Sequence, residues 1–377
     1  MNQSPRVGWV YPAFGHPAHD EDDAAYGHPA HRGFQDAIGA DPLLFSPVSV
    51  GPLSGTLVED AVAAVRSSFP ERDVYVLENA DAVYAAPVIK SAHPDAVVVL
   101  LAAHNVFGLE SYDFAADPLP KALARRADRY LDATVVRALV RRYVDGSLAV
   151  SSFVADHVRS FAPETPVRPV HPYVQPDVAD RLDEATPDLG ANRAITVCEA
   201  RDHKGVDLLV EAWPAVRGRV PDATLHVVGT GHPDEYESTP GVTVHGYVED
   251  LTAELAASSL YVHPARVDAF GVSVTEAMRA GVVPLVTETT GSFPVVGDIA
   301  DDLVVEPNPA ALAAGISGYF EREVVARERL SARARDLAAP FDAETQQDEF
   351  VAAFEELLAA IDGASDRNGA RDGGGSA

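Results

Sequence analysis

Short apolar runs recur along this chain, and stretches of helical period separate them. "RVGWVYPA" (6–13), "DVYVLEN" (73–79), "AVVVLLAAHN" (96–105) and "GSLAVSS" (146–152) read as buried strands. Helical patterns lie between them at 57–69, 118–143 and 153–162. Near-continuous apolar strands alternating with amphipathic helices predict a parallel sheet with right-handed crossovers. The alternation stops at "QPDVADRLDEATPDLGANR" (175–193), which is polar and carries Pro176, Pro187 and Gly190. It then resumes. Strands are expected at 194–200, 223–229, 242–248, 260–265 and 282–287, and helices at 205–220, 251–259, 274–280, 308–338 and 343–361.

These patterns describe an α/β chain of two Rossmann-like domains, each a doubly wound parallel sheet. The first is expected at 1–175, a linker at 176–192 and the second domain at 193–340. A helix at 341–361 is expected to pack back on the first domain, ahead of a disordered tail at 362–377. Ligands of such sheets bind outside the carboxyl ends of the strands. The expected site is therefore a cleft across which the two domains face each other.

Composition narrows the partners. Acids outnumber bases 57 to 29 and the formal net charge is -28. A dispersed acidic surface lacks the positive footprint a nucleic acid requires. It reads instead as adaptation to high salt, where screening makes self-repulsion tolerable. Lysine is scarce, with Lys90, Lys121 and Lys204 the three in the chain, so Lys204 stands out beside a glycine. The longest apolar run, 96–103, is too short to span a bilayer, and the N-terminus shows no secretory pattern. A cytoplasmic protein with at most peripheral contact at the inner face of a membrane is expected. Cys198, the single cysteine, lies in a strand pattern and reads as a buried, unreactive thiol.

The segment "DAFGVSVTEAM" (268–278) carries the candidate chemistry. Ser273 to Glu276 has the spacing of a capping box, and Gly281 reads as the C-terminal stop of the same helix. The preceding strand ends at His263-Pro264, however, which places Asp268 to Ser273 in a loop at a carboxyl edge. Gly271 lets the backbone approach a ligand, and the helix N-terminus beyond it offers N–H groups to an anion. Asp268 and Glu276 are suited to accepting bonds from sugar hydroxyls. Phosphate at the helix start with hydroxyls on the acids describes a nucleotide sugar.

"VDAFGVSVTEAMRAGVVPLVTETTGSFPVV" resembles the E-x7-E region of retaining glycosyltransferases of family 4, whose fold is GT-B. "HKGVDLLVEAWPAVRGRVPDATLHVVGTG" (203–231) and "VHGYVED" (244–250) are similar to further segments of that family, in order and spacing. "GSLAVSSFVADHVRSF" (146–161) resembles its crossover, while the first half otherwise matches by strand order and by "AAHN".

The resemblance implies catalytic places for Asp268, Lys204 and His104. Asp268 stands near the donor's hydroxyls where the family has glutamate, and Lys204 on the diphosphate. Glu276 is implied on the ribose, and Phe270, Gly271, Val272 and Ser273 around the sugar and phosphate. Gly229 and Gly231 approach the nucleotide. The family's Gly-Arg pair is missing: Cys198 and Glu199 stand there, and Arg201 is the nearby substitute. No cofactor and no metal are implied, the nucleotide-diphosphate sugar being the donor substrate and a glycan, glycolipid or lipid-linked molecule the acceptor.

Three other features of the sequence bear on function. "GHPAH" occurs at 15–19 and 27–31 around an acidic stretch. His16, His19, His28 and His31 could hold a metal, but proline within each H-x-x-H pair keeps it off one helix face. The resemblance implies instead a loop toward the acceptor here, containing Gly15 and His16. The arginines between 125 and 142 read as a solvated helix face, and His245 and His263 as packed strand residues. Two further functions remain compatible: a sugar-nucleotide epimerase of the same fold, favoured by His104 and the histidine loop, and a catalytically degenerate sugar-nucleotide-binding protein, favoured by Asp268 and the missing Gly-Arg pair.

Overall fold

The computed structural model describes residues 4–11, 29–46, 48, 57–103 and 119–372. The chain divides into two compact units. One comprises the chain up to Pro172 together with Glu344 onward, and the other is dominated by Tyr173–Ala343.

The first unit holds a six-stranded sheet ordered β2-β1-β3-β4-β5-β6, parallel throughout. Its strands are β1 (Val7–Tyr11), β2 (Asp41–Leu44), β3 (Val74–Glu78), β4 (Val97–Ala102), β5 (Gly146–Ala149) and β6 (Val167–Pro169). The central strands β1 and β3 are buried along their whole length, as their apolar runs require. Edge strand β2 is exposed at most positions and contains Pro42, which an edge tolerates because one side needs no ladder donor. Its four-residue length and the proline hide it from a hydrophobic-pattern reading. The helix Ser152–Phe161 starts where Ser151 Oγ accepts from Val154 N at 3.1 Å, an N-cap that ends the strand pattern sharply.

The long C-terminal helix, Ala343–Asp372, belongs to this unit and runs past residue 361, where the tail was expected to begin. Phe350 stacks on Phe34 with ring centres 4.3 Å apart and tilts against Trp9. His31, grouped by sequence with the loop histidines, lies in the helix Pro29–Ala37. Its Nδ1 is 2.9 Å from Glu78 Oε1, while Glu78 Oε2 accepts from Trp9 Nε1 at 2.7 Å. Glu78 is therefore a buried polar tie between β3, β1 and that helix, and both its oxygens are satisfied. Gly15, His16 and His104 lie outside the described residues.

The second unit holds another parallel six-stranded sheet, ordered β12-β11-β10-β7-β8-β9. Its strands are β7 (Arg193–Val197), β8 (Thr224–Val228), β9 (Val242–Gly246), β10 (Leu260–His263), β11 (Val283–Thr287) and β12 (Val304–Val305). The chain lays down β7, β8 and β9 in one direction and then returns to place β10 on the other side of β7. The strand order thus reverses between β7 and β10. That is the topological switch point at which doubly wound sheets bind ligands.

Residues 176–183, read as linker, form a helix (Pro176–Asp183) within this unit. The pattern at 308–338 is two helices, Pro309–Phe320 and Val324–Ala338. Arg327 causes the break. It lies over the rings of Tyr319 and Phe320, its guanidinium 5.2 and 5.7 Å from their centres. It donates to the carbonyls of Phe320, Arg322, Leu189 and Ala191 and to Asn192 Oδ1. The Phe320 carbonyl at the end of the first helix and the Arg322 carbonyl just beyond it are satisfied by this one buried side chain.

Candidate functional site

Two loops leave adjacent strands at the switch point. After β7 the chain passes Cys198 to Arg201 and makes a tight turn over Asp202–Lys204, closed by Gly205 at φ +67°. After β10 it passes Pro264 to Ala269 and enters the helix Val272–Arg279 through Gly271 at φ +80°. Arg266 N donates to His203 O at 2.8 Å, so the loops are joined through their backbones. Arg266 also clamps Asp207 with two bonds of 2.7 and 2.5 Å.

This arrangement brings Lys204 and Asp268 together. Lys204 Nζ is 2.5 Å from Asp268 Oδ2, and His263 Nε2 is 2.9 Å from the same oxygen. Asp268 Oδ1 accepts from Phe270 N at 3.3 Å. Burial works against the ionised carboxyl of Asp268, but the charge of Lys204, followed by the hydrogen bond and charge of His263, overcomes it. The pKa of Asp268 is held well below the ordinary carboxylate value. The aspartate backbone is pinned as well: Asp268 N donates to Thr289 O and Gly291 N to Asp268 O.

Behind these groups stands Tyr261, two residues before His263 on β10 and fully buried. Its hydroxyl lies 2.7 Å from Ser273 Oγ and 3.3 Å from His263 Nδ1. Burial drives that hydroxyl well above its usual pKa, so it stays protonated. Tyr261 joins the strand end to the helix start and fixes which face His263 presents to Asp268. Tyr261→Phe is expected to destabilise the protein by about 1–2 kcal/mol, because Ser273 loses its buried partner. Urea unfolding measures this loss.

The expected capping box does not form. The helix begins at Val272, with Gly271 as an N-cap that has no side chain to contribute. Ser273 is thus inside the first turn, its Oγ committed to Tyr261, and Glu276 is too far along to reach back. With no side-chain cap, the first turn is open to an external acceptor. One turn on, Glu276 is half-buried. Burial raises its pKa, and no hydrogen bond or ion pair engages its carboxylate among the described residues. Buried Val274, Ala277 and Met278 hold the opposite helix face in the core.

Gly229 and Gly231 follow β8 with φ of +137° and +82°. A Cβ on Gly229 would lie 1.8 Å from Cys198 O, so the loops after β7 and β8 touch backbone to backbone. Burial pushes the Cys198 thiol up to about 12, in keeping with an unreactive group. The carbonyl of Arg201 accepts from Lys204 N at 2.9 Å, while the arginine side chain is exposed and pairs with Glu199 at 3.1 Å. Phe270 is buried, its ring 5.6 Å from that of Phe341.

Known proteins share this architecture. Sucrose-phosphate synthase from Thermosynechococcus elongatus superposes with a TM-score of 0.65 at 16% identity, covering 94% of this chain and 99% of that one. Anabaena HepE, solved in complex with UDP-glucose, gives 0.60 at 15% identity over 93% and 100%. The class is therefore GT-B, two Rossmann-like α/β units. Residues 191–322 match the family model Glycosyl transferases group 1, and over that segment the resemblance read from the sequence is shown. A GDP-mannose-dependent alpha-(1-6)-phosphatidylinositol monomannoside mannosyltransferase of Mycolicibacterium smegmatis is 30% identical over 233 residues. That alignment takes in 49% of this chain and 60% of the relative, so the match spans under two thirds of the relative's length.

Proposed function

We propose that the protein is a retaining hexosyltransferase, moving a sugar from a nucleotide-diphosphate sugar to a glycan, glycolipid or lipid-linked acceptor. The observation that carries this reading is the Lys204–Asp268–His263 cluster at the switch point, set at the uncapped start of the helix bearing Glu276. In this reading the diphosphate lies at the helix start and displaces Asp268 from Lys204. The ammonium is then free to meet negative charge on the leaving phosphate as the bond from sugar carbon to phosphate oxygen breaks. Asp268, still held by His263, accepts from a sugar hydroxyl. Glu276, an unpaired acceptor, takes the ribose diol. Lys204 and the helix supply the positive potential, so the transfer itself runs without a metal. The acceptor attacks from the face the diphosphate leaves, and the departing phosphate takes its proton. An acidic surface in a salt-rich cytoplasm fits the net charge of -28.

A donor screen with GDP-mannose and UDP-glucose against crude glycolipid acceptors tests the reading through release of free nucleoside diphosphate. Glu276→Ala is expected to weaken donor binding by about 10- to 100-fold, the worth of about one hydrogen bond to a charged acceptor at 1.5–3 kcal/mol. Calorimetry with the nucleoside diphosphate reads this directly. Undiminished binding by that variant would remove Glu276 from the site.

A further inference from the structure

A second cluster lies on the same sheet, on strands away from the transfer chemistry. His226 in the middle of β8 and His245 near the end of β9 stack with ring centres 5.0 Å apart, and His226 Nδ1 is 2.7 Å from His245 Nε2. Glu254, on the short helix Thr252–Ala256, completes the group. One potential ligand atom from each residue lies within 4.8 Å of the others, and all three side chains are partly accessible. The sheet is distorted at this point. β8 and β9 run in register from Leu225↔Val242 to Val227↔Val244, and then Val228 pairs with Gly246. His245 is the extra residue of a bulge, a device that re-aims a side chain. Here it sets His245 against His226.

We propose that His226, His245 and Glu254 form a binding site for a divalent transition-metal ion of the zinc class. Two imidazoles and one carboxylate are a donor set such ions take, with open positions left for water. The present hydrogen bond between the rings needs one proton between Nδ1 of His226 and Nε2 of His245. Binding places the protons on the opposite ring nitrogens, Nε2 of His226 and Nδ1 of His245, so two neutral imidazoles bind without releasing a proton. The ring nitrogens then open from 2.7 Å to about 3.3 Å, the edge of a tetrahedron with Zn–N near 2.05 Å. Arg193 already binds one carboxylate oxygen of Glu254, Oε2. Oε1 is the metal's ligand, and the guanidinium orients the carboxylate from behind, as outer-shell donors do. His245 and Glu254 flank the segment Gly246–Ala253, which carries the exposed Tyr247. The ion would therefore staple the end of β9 to the next helix and order the loop between them. It is a structural site, and no step of the proposed sugar transfer passes through it.

The test uses the full chain, stripped with chelator and titrated with Zn²⁺ by calorimetry and with Co²⁺ by visible absorption. One equivalent is expected to bind, and Co²⁺ to show the intense bands of a low-symmetry site containing nitrogen ligands. His245→Ala and His226→Gln are each expected to weaken that equivalent at least ~100-fold, since even outer-shell partners are worth 10- to 100-fold. Both are checked for native circular dichroism in chelator. A triple variant, His16→Ala, His19→Ala and His28→Ala, is expected to retain the equivalent. Zn²⁺ should raise the melting midpoint of the wild type and not of His245→Ala. The proposal is overturned if the wild type binds no equivalent, if binding survives undiminished in His245→Ala, or if it disappears in the triple variant. Neither result touches nucleoside diphosphate release, which tests the transferase reading separately.

Discussion

Replacing Lys204 by alanine is expected to lower release of nucleoside diphosphate by about 10²- to 10³-fold, the range seen when one preorganised donor to a developing negative charge is removed. The loss should fall on kcat, because the charge the ammonium meets grows as the bond to the sugar breaks. The variant has a second signature. Asp268 remains largely buried, its side chain 11% exposed, with His263 as its remaining side-chain hydrogen-bond partner. Breaking a buried ion pair from one side costs about 3–5 kcal/mol.

The pH dependence identifies the origin of that cost. In the wild type the folded-state pKa of Asp268 lies well below that of an ordinary aspartate. Its contribution to stability is therefore complete above the unfolded value and is lost as pH falls through the folded one. Without Lys204 the opposing effect of burial gains weight and the folded pKa rises. The acid limb of the stability curve should move to higher pH in Lys204→Ala, measured by urea midpoints across the acid range. Wild-type kcat together with an unmoved acid limb would show that Lys204 and Asp268 do not act as a pair.

Lys204 and Asp268 were legible in the sequence for local reasons. A lone lysine beside glycine, and an acid ahead of a glycine turn and an amphipathic run, keep their meaning whatever the tertiary packing. Their partners were not legible. Strand alternation puts Tyr261 and His263 on one face, but whether that face meets the Ser273 helix depends on β10 returning to pair with β7. The capping-box signature misled because it is equally local. Gly271, at positive φ, starts the helix before Ser273 can act as a cap. Arg201 looked like a stand-in for a missing arginine, yet Glu199, two residues away, holds it at the surface. In the fold, β2 and β12 escaped notice because a four-residue strand holding a proline and a two-residue strand carry too little apolar pattern. The helix break before Val324 depends on Arg327 reaching back over Tyr319, which no periodicity records.

Gly205→Ala, like Gly229→Ala, is expected to be among the most destabilising single methyl additions around the site. Gly205 sits at φ +67° and ψ +19°, where an alanine is strained by about 1 kcal/mol. A Cβ there would lie 2.1 Å from Pro264 O and 3.0 Å from Pro264 C. Both atoms are backbone, so no rotamer change relieves the clash. Pro264 directly follows His263, and Gly205 directly follows Lys204. The loops must therefore separate at the place where Lys204 and His263 converge on Asp268. A loss of at least ~4 kcal/mol is expected, which for a unit of this size lowers the melting midpoint by about 10 °C. Nucleoside diphosphate release should fall in the fraction that still folds. Gly218, near the end of the same helix (Val206–Arg219), is the control: a Cβ there meets nothing within 4 Å. Gly218→Ala should stabilise by about 0.5–1 kcal/mol through helix propensity. If thermal melts show the two variants alike, the close backbone contact is not what holds the Lys204 turn against β10.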